Sequence, residues 1–501
     1  MASFRLDLEP WIPAEWVDGT SGEVSLRDTF RHATQIRRIQ GTPLEVAVLY
    51  RLLFAVFHRA FEIEEFDGWT ESWHNPTQAL SAAENYVEQI GADCFDLYHS
   101  ERPFMQHPQL SPGKKPLAVL LFDRAQGNNP VFLDASREQD LTPVASNIVA
   151  RGLLVNMAFG GSHPDKSNPL NNGKETTMYA GPLCARLVVI LEGATLAETL
   201  LLNRIAGTPI GRPAWERPLP SRSTKSAAEG IADRFTRTTR FVRLLPSEDG
   251  RQSISCALHM GEQINEDGEP EDPMMPLYLA SDKKMKVARL DADRAVWRSS
   301  HVLLNTDKGN PEFRPAAAMV QFGQLSDFYL DQPPIVNLRV TGFAGDAQGP
   351  TPEVWRDESL PFRISLGDDT AQFAKIKGAI DYADSAAEKL RGRLFAFAKR
   401  YLEASIPNPD SNDARRLAES LSPRLEPFWS RLAHDGERLG LTDEIAAEDW
   451  EKKVNEASAR AFAQAVNALP LNGRRLRAQF DHGGPHATNK KKKGGQRKVK
   501  Q

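Results

Sequence analysis

Three small groups of residues in this chain have the types and spacing from which chemistry is built. Cys94, His99 and His107 bring a thiol and two imidazoles close together in the chain. Their intervals match none of the usual zinc-ligand spacings, so a packed cysteine and two surface or core histidines are expected instead of a metal site. His163 and Asp165 could serve as an acid–base pair, but two residues apart around Pro164 they are expected to make a turn. The third group is glycine-rich: Gly160-Gly161 after Phe159, and the run Gly342-Phe343-Ala344-Gly345-Asp346-Ala347-Gln348-Gly349-Pro350. Glycine permits positive φ and lets backbone approach a ligand closely. At the tip of the second run, Asp346, Ala347 and Gln348 offer small groups and one flat amide, a shape that can stack on a base pair or wedge beneath it. The same composition also describes a plain flexible hairpin. No GxSxG, HExxH or P-loop string occurs, which leaves no recognisable nucleophile, zinc-protease or NTPase signature.

The elements that must position these residues can be read from periodicity. Residues 4–8 alternate apolar and polar and predict a short strand, broken by Pro10-Trp11-Ile12-Pro13, with a partner strand around Val24 and Leu26. Leu44, Val48, Leu52, Ala55 and Val56 predict a buried helix from Pro43 to Phe61. Residues 62–180 are weakly periodic and predict short helices carrying long loops, among them Gly127–Ser136 and Phe159–Pro164. Ala185–Leu191 predicts a buried strand, Leu196–Ile205 a helix, and Pro213–Ser226 a linker or surface loop. A β-rich stretch over about 238–345 ends in Val336-Asn337-Leu338-Arg339-Val340-Thr341, which alternates cleanly and runs into the glycine run. Beyond 366 the pattern becomes helical. Ile376, Ile380, Ala383, Ala387, Leu390, Leu394, Phe397 and Tyr401 form one seam, with further helices expected over 411–434, 442–468 and 471–480.

At 501 residues the chain is long enough for several domains and a sizeable core. Three scattered cysteines argue against a disulfide framework and for a reducing cytoplasm. There is no basic and apolar leader, and no run of about 18 apolar residues, so a soluble, unexported protein without a membrane partner is expected. The net charge of −4 hides an asymmetry: Lys490 to Lys493, Arg497, Lys498 and Lys500 put seven positive charges into 486–501, so the rest carries −11. Such a body is no general nucleic-acid coat. Any contact with nucleic acid must come from local loops.

Taken as a set, these features resemble the CasA family, the large subunit of the type I-E CRISPR Cascade. Leu6-Asp7 with Pro10-Trp11-Ile12-Pro13 resembles the family's opening signature. His99-Ser100-Glu101-Arg102-Pro103-Phe104-Met105-Gln106 resembles its His-x-Glu-x-Pro-Phe-Met-Gln segment, the most specific single match. The order of glycine loop, long strand, glycine hairpin and helical bundle agrees as well. The likeness spans nearly the whole chain and is poorest over 62–95 and 206–260. It fits an α+β fold class: a large mixed N-terminal domain with long loops over 1–365, an all-α four-helix bundle over 366–483, and a disordered basic tail over 484–501.

The resemblance implies a subunit with no catalysis of its own and no cofactor. Such a subunit joins CasB, CasC, CasD and CasE around crRNA, recognises the protospacer-adjacent motif of double-stranded target DNA from the minor groove, helps open the duplex, and presents it to a helicase-nuclease. By position, Phe159, Gly160 and Gly161 match the family's motif-reading glycine loop and Gln348 its wedge. Asp346 and Ala347 stand where a minor-groove asparagine is expected, so an acidic group there is a departure. Gln263 falls near a minor-groove lysine. Phe132, Leu133 and Asp134 match the segment touching the crRNA 5′ handle. Paired cysteines found in some members are missing, which implies no structural zinc. Two other readings stay open on the residues alone: an RNA-processing or nuclease subunit with a cryptic site, and a purely structural scaffold.

Overall fold

The helix Pro43–Ala60 shows most directly how sequence becomes structure here. Thr42 accepts from the backbone N–H of Glu45, the Glu45 carboxylate accepts from the N–H of Thr42, and Pro43 occupies the first turn where no N–H is needed. Residues 44 to 58 are buried almost without exception, so this helix has no solvent face. It is packed by the helices Thr77–Cys94, Ser146–Phe159 and Ile231–Thr236 and by the strand Ile335–Gly345. In the computed structural model, residues 2–63, 65–124, 141–265, 272–305, 311–329, 335–345, 352–363, 370–403, 410–441 and 446–482 are described. The chain divides into two compact units, Met1–Asp369 and Thr370–Gln501.

The expected strand at 4–8 is replaced by a turn. The N–H groups of Leu8 and Glu9 both donate to the Arg5 carbonyl, and Arg5 closes onto Asp7 through two hydrogen bonds, leaving a single bridge from Arg5 to Asp96. The strand lies instead at Ile12–Trp16, between Ser21–Val24 and Ile36–Ile39 in an antiparallel sheet. Pro13 is tolerated there because it sits where the pairing with Ile36–Ile39 begins. Its carbonyl accepts from Gln40, and no donor is called for.

A second antiparallel sheet runs in the order Pro352–Arg363, Ile335–Gly345, Leu187–Glu192. The middle strand continues through Gly342, which was expected to open a loop. Gly342 has φ +141°, and a Cβ there would lie 2.5 Å from the Arg186 carbonyl oxygen, so the glycine serves close strand packing. Arg339 locks this sheet to its surroundings: Nη1 donates to Glu192 at 2.8 Å and to the Ile39 carbonyl at 3.1 Å, while Nε and Nη2 grip Asp357 at 2.7 Å each.

Other stretches differ from expectation for identifiable reasons. Thr77–Cys94 is an 18-residue helix in the region read as short helices, because half of its buried face is alanine and glycine, which carry little periodic signal. Pro213–Ser226 is no free linker: Trp215 is buried against Phe95 and Phe104, with ring centroids 5.3 and 6.3 Å away. The helix Ala317–Tyr329 interrupts the β-rich stretch.

In the second unit the predicted seam is buried from Ile376 to Phe397 along the 34-residue helix Thr370–Glu403. The helix expected over 411–434 is split into Ser411–Leu421 and Glu426–Glu437, since Pro423 interrupts it and Arg424 and Leu425 take left-handed conformations. Ala447–Asn467 and Gly473–His482 follow. The molecule is therefore α+β with a helical C-terminal region. Among the described residues no helix is long and apolar enough to cross a membrane.

One buried titratable group carries a measurable consequence. His58 is 1% exposed, its Nδ1 bonds the Phe54 carbonyl at 2.8 Å, and its Nε2 accepts from the Ile205 N–H at 3.2 Å, an arrangement open only to the neutral ring. Burial, with the nearby Arg204 guanidinium, pushes its pKa down to about 3 from the ordinary 6.5. The unfolded chain therefore binds a proton that the folded chain refuses. Stability is fully present above pH 6.5 and falls as pH drops toward 3, by about 1.4 kcal/mol per pH unit from this group. Denaturant unfolding across that window should show the slope, and His58→Gln should flatten it by that amount.

Candidate functional site

Helix Ser146–Phe159 is buried on every side from Val149 onward and ends at Gly160, whose N–H still bonds the Asn156 carbonyl at 2.9 Å. The expected loop over Phe159–Pro164 is thus shorter: Phe159 is helical and His163–Asp165 is a strand. Neither glycine needs positive φ, and Gly160 has φ −51°. The requirement is space. A Cβ on Gly160 would meet the Asn156 carbonyl oxygen at 2.5 Å and Arg240 Nη2 at 2.9 Å.

Arg240, at the head of the strand Arg240–Pro246, is the group behind this turn. It is 2% exposed, and its Nη2 donates to the carbonyls of Gly160 (3.0 Å), Gly161 (3.1 Å) and Tyr179 (2.8 Å), its Nη1 to that of Thr239 (3.1 Å). Burial lowers its pKa to about 10, so it stays charged at neutral pH. Gly181 adds a further bond to the Gly160 carbonyl at 2.7 Å, and Leu183 holds that of Ala158 at 2.8 Å.

The turn is joined to the glycine hairpin by aromatic packing. The Phe159 and Phe343 ring centroids are 6.0 Å apart, and Phe122 packs on Phe343 at 6.5 Å. Phe343 lies just before Gly345, where the described part of the hairpin strand ends, and Phe122 just before the stretch 125–140. Described residues within or beside the three segments singled out in the sequence, Phe122, Phe159 and Phe343, therefore pack in one cluster of phenylalanines. Asp346, Ala347 and Gln348, and likewise Phe132, Leu133 and Asp134, lie outside the described residues.

Gln263 is half-buried in a two-residue parallel pairing with Lys225–Ser226 and donates its N–H to Thr224 at 2.8 Å. The preceding residues tie it to the segment carrying Arg240: Gly261 bonds Thr239 at 3.0 Å and Glu262 bonds Thr238 at 2.8 Å through their N–H groups. The Glu262 carboxylate is buried against Arg217 at 2.7 and 2.9 Å and accepts from the Thr238 hydroxyl. Burial works against its charge, but Arg217, Thr238 and Arg237 outweigh that and hold its pKa below the ordinary value.

The residues with catalytic types have structural occupations. Cys94 is buried with its Sγ 3.5 Å from the Trp215 carbonyl, His99 Nδ1 accepts from the N–H groups of Glu101 and Arg102, and His107 Nε2 bonds the Pro220 carbonyl at 3.1 Å. Asp165 does not face His163; it bonds His259 Nδ1 at 3.0 Å and the Met260 N–H at 2.9 Å. Among the described residues no three metal-ligating side chains converge. The segment His99–Gln106 is likewise mechanical: Gln106 donates to the Leu97 carbonyl at 2.6 Å and accepts from the Leu244 N–H at 2.9 Å, stitching two parts of the fold together.

Arg240, Phe122 and Phe343 were missed in the sequence because their roles depend on partners far away in the chain. The one available signal was Arg240 itself, an arginine at the head of a largely apolar strand.

The sequence matches the family described as CRISPR-associated protein Cse1 over residues 6–461. The chain belongs to the Cse1 family. A CasA/Cse1 protein of Thermus thermophilus is 28% identical over 502 residues, covering 95% of each chain. The crystal structure of CasA from Thermus thermophilus superposes with a TM-score of 0.77 at 26% identity, covering 96% of this chain and 98% of that one. Thermobifida fusca Cse1 shares the fold, with a TM-score of 0.75 at 22% identity over 96% of this chain and 95% of that one. In this Cse1 chain, the glycine turn and the hairpin strand form one packed body, so substitutions that swell it should cost stability. Gly160→Ala and Gly342→Ala are each expected to destabilise the first unit by about 1–3 kcal/mol, read from denaturant unfolding.

Proposed function

We propose that this chain is the non-catalytic large subunit of a crRNA-guided surveillance complex, reading the protospacer-adjacent motif of target duplex from the minor groove. In this reading it acts in the cytoplasm with crRNA and the CasB, CasC, CasD and CasE subunits, helps open the duplex for R-loop formation, and presents it to the helicase-nuclease. The observation that carries it is the packing of Phe122, Phe159 and Phe343 in one aromatic cluster beside the Gly160–Gly161 turn, within a chain matching the Cse1 family over residues 6–461. A further structural neighbour is a chain of a CRISPR RNA-guided surveillance complex, with a TM-score of 0.73 at 21% identity over 96% of this chain and 99% of that one.

The chemistry of such a reader follows from what the chain offers. The minor groove presents nearly the same acceptors for A·T and T·A, so backbone and amide contacts tolerate several motifs. Unstacking one base step costs a few kcal/mol, a scale that one amide wedge and a few groove contacts can offset. Asp346 adds no attraction to phosphates, which places the weight of contact on Gln348, Gln263 and the backbone of Gly160 and Gly161. The seven charges of the basic tail supply non-specific attraction that the acidic remainder does not.

The test is target binding by the reconstituted complex, with and without this chain, on duplexes carrying an intact or scrambled motif. Gly161→Asp and Gln348→Ala are expected to lose motif-dependent strand opening while the complex still assembles. Wild-type opening by both variants would overturn the site assignment and favour a scaffold role. Metal-dependent cleavage by the purified chain would favour a nuclease. Removing residues 486–501 should lower the salt dependence of duplex binding by up to about six units of log–log slope, measured by titration at several salt concentrations.

A further inference from the structure

Most deeply buried arginines in this protein face carboxylates. Arg51 pairs with Asp272 at 2.8 Å, Arg217 with Glu262, Arg237 with Asp233, and Arg339 with Glu192 and Asp357. Two of the largest fully buried side chains, Arg204 and Arg240, hydrogen-bond only to backbone carbonyls among the described residues. Burying a guanidinium with no hydrogen-bonded carboxylate is an expensive way to stabilise a fold, and an apolar side chain of similar volume often does as well or better. A planar charged fork, however, fixes several oxygens in one geometry, which an apolar side chain cannot do.

Arg240 uses that property at one place. A single amino group of its guanidinium holds carbonyls from the end of helix Ser146–Phe159 and from Tyr179, and its Nε has no hydrogen-bond partner among the described residues. The fit is tight enough that Gly160 has no room for a Cβ beside it. Thr239, its neighbour, reinforces the same helix end by donating to the Met157 carbonyl. The next strand residue bonded opposite it, Met260, leads through Gly261 and Glu262 to Gln263.

We propose that Arg240 is the positioning residue for motif discrimination: it sets the orientation of the Gly160–Gly161 backbone and so controls how well this chain separates a correct motif from an incorrect one, without touching DNA. This rests on the function proposed above. Its inward bonds occupy the two glycine carbonyls and place a fixed positive charge directly behind the turn, where it adds attraction for the acceptors of a groove edge. Lysine would keep the charge but not the planar fork.

The experiment uses the full chain in the reconstituted crRNA complex. The ratio of dissociation constants for scrambled and intact motif is measured for wild type, Arg240→Met, Arg240→Lys, Gly161→Asp and, as a matched control, Arg204→Met, with thermal unfolding of each. Arg240→Met is expected to lose about tenfold in that ratio, with Arg240→Lys intermediate, while Arg204→Met keeps the wild-type ratio at a similar stability loss. If Arg240→Met does not fold, Arg240→Lys alone carries the comparison. A wild-type ratio in the Arg240 variants, with the ratio lost in Gly161→Asp, would make Arg240 merely structural and leave the motif-reading function intact. A wild-type ratio in Gly161→Asp as well would remove both.

Discussion

The guanidinium of Arg339 is the constraint on which the first unit depends. It lies where the central sheet meets the small N-terminal sheet, bonded to Glu192, Asp357 and the Ile39 carbonyl, while the Tyr50 hydroxyl donates to Glu192 at 2.9 Å from the long buried helix. Burial opposes its charge, yet Asp357 and Glu192 more than compensate and hold its pKa well above the ordinary value. Removing Arg339 would leave the buried Glu192 carboxylate without its counter-charge, which costs several kcal/mol. The pair Arg339 and Asp357 thereby fixes the register of the two hairpin strands. That register decides where Phe343 falls.

From that sheet the architecture reaches the glycine turn through a short physical path. Phe343 packs on Phe159, Phe159 ends a helix, and Arg240 gathers the carbonyls that follow it. Each step is an interaction that excludes water, so the turn is set by rigid elements rather than by its own glycines. The candidate catalytic types, Cys94, His99, His107, His163 and Asp165, are engaged with carbonyls, backbone N–H groups or another side chain.

Much of the fold was legible in the sequence where local rules govern. The apolar spacing from Leu44 to Val56 behind Pro43 announced the helix Pro43–Ala60, the alternation of Val336 to Thr341 a strand, and the four-and-three spacing from Ile376 the long helix of the second unit. The rules failed where a distant partner outweighs local preference. Phe4 to Leu8 alternates like a strand, but Arg5 turns back on Asp7; Gly342 looks like a loop residue, but the Arg186 carbonyl needs its missing side chain.

For the candidate site the division is the same. Residue type alone picked out Phe159, Gly160 and Gly161, because glycine advertises its chemistry locally; Gln263 came only from the family likeness, which was carried by short strings such as His99 to Gln106. Only the tertiary structure decided that these strings are mechanical, that the glycine pair is buried, and that Phe122, Phe159, Phe343 and Arg240 join segments far apart in the chain. The reason is physical: periodicity records which face of an element is apolar, whereas a buried guanidinium's choice of carbonyls is made only after the elements have packed.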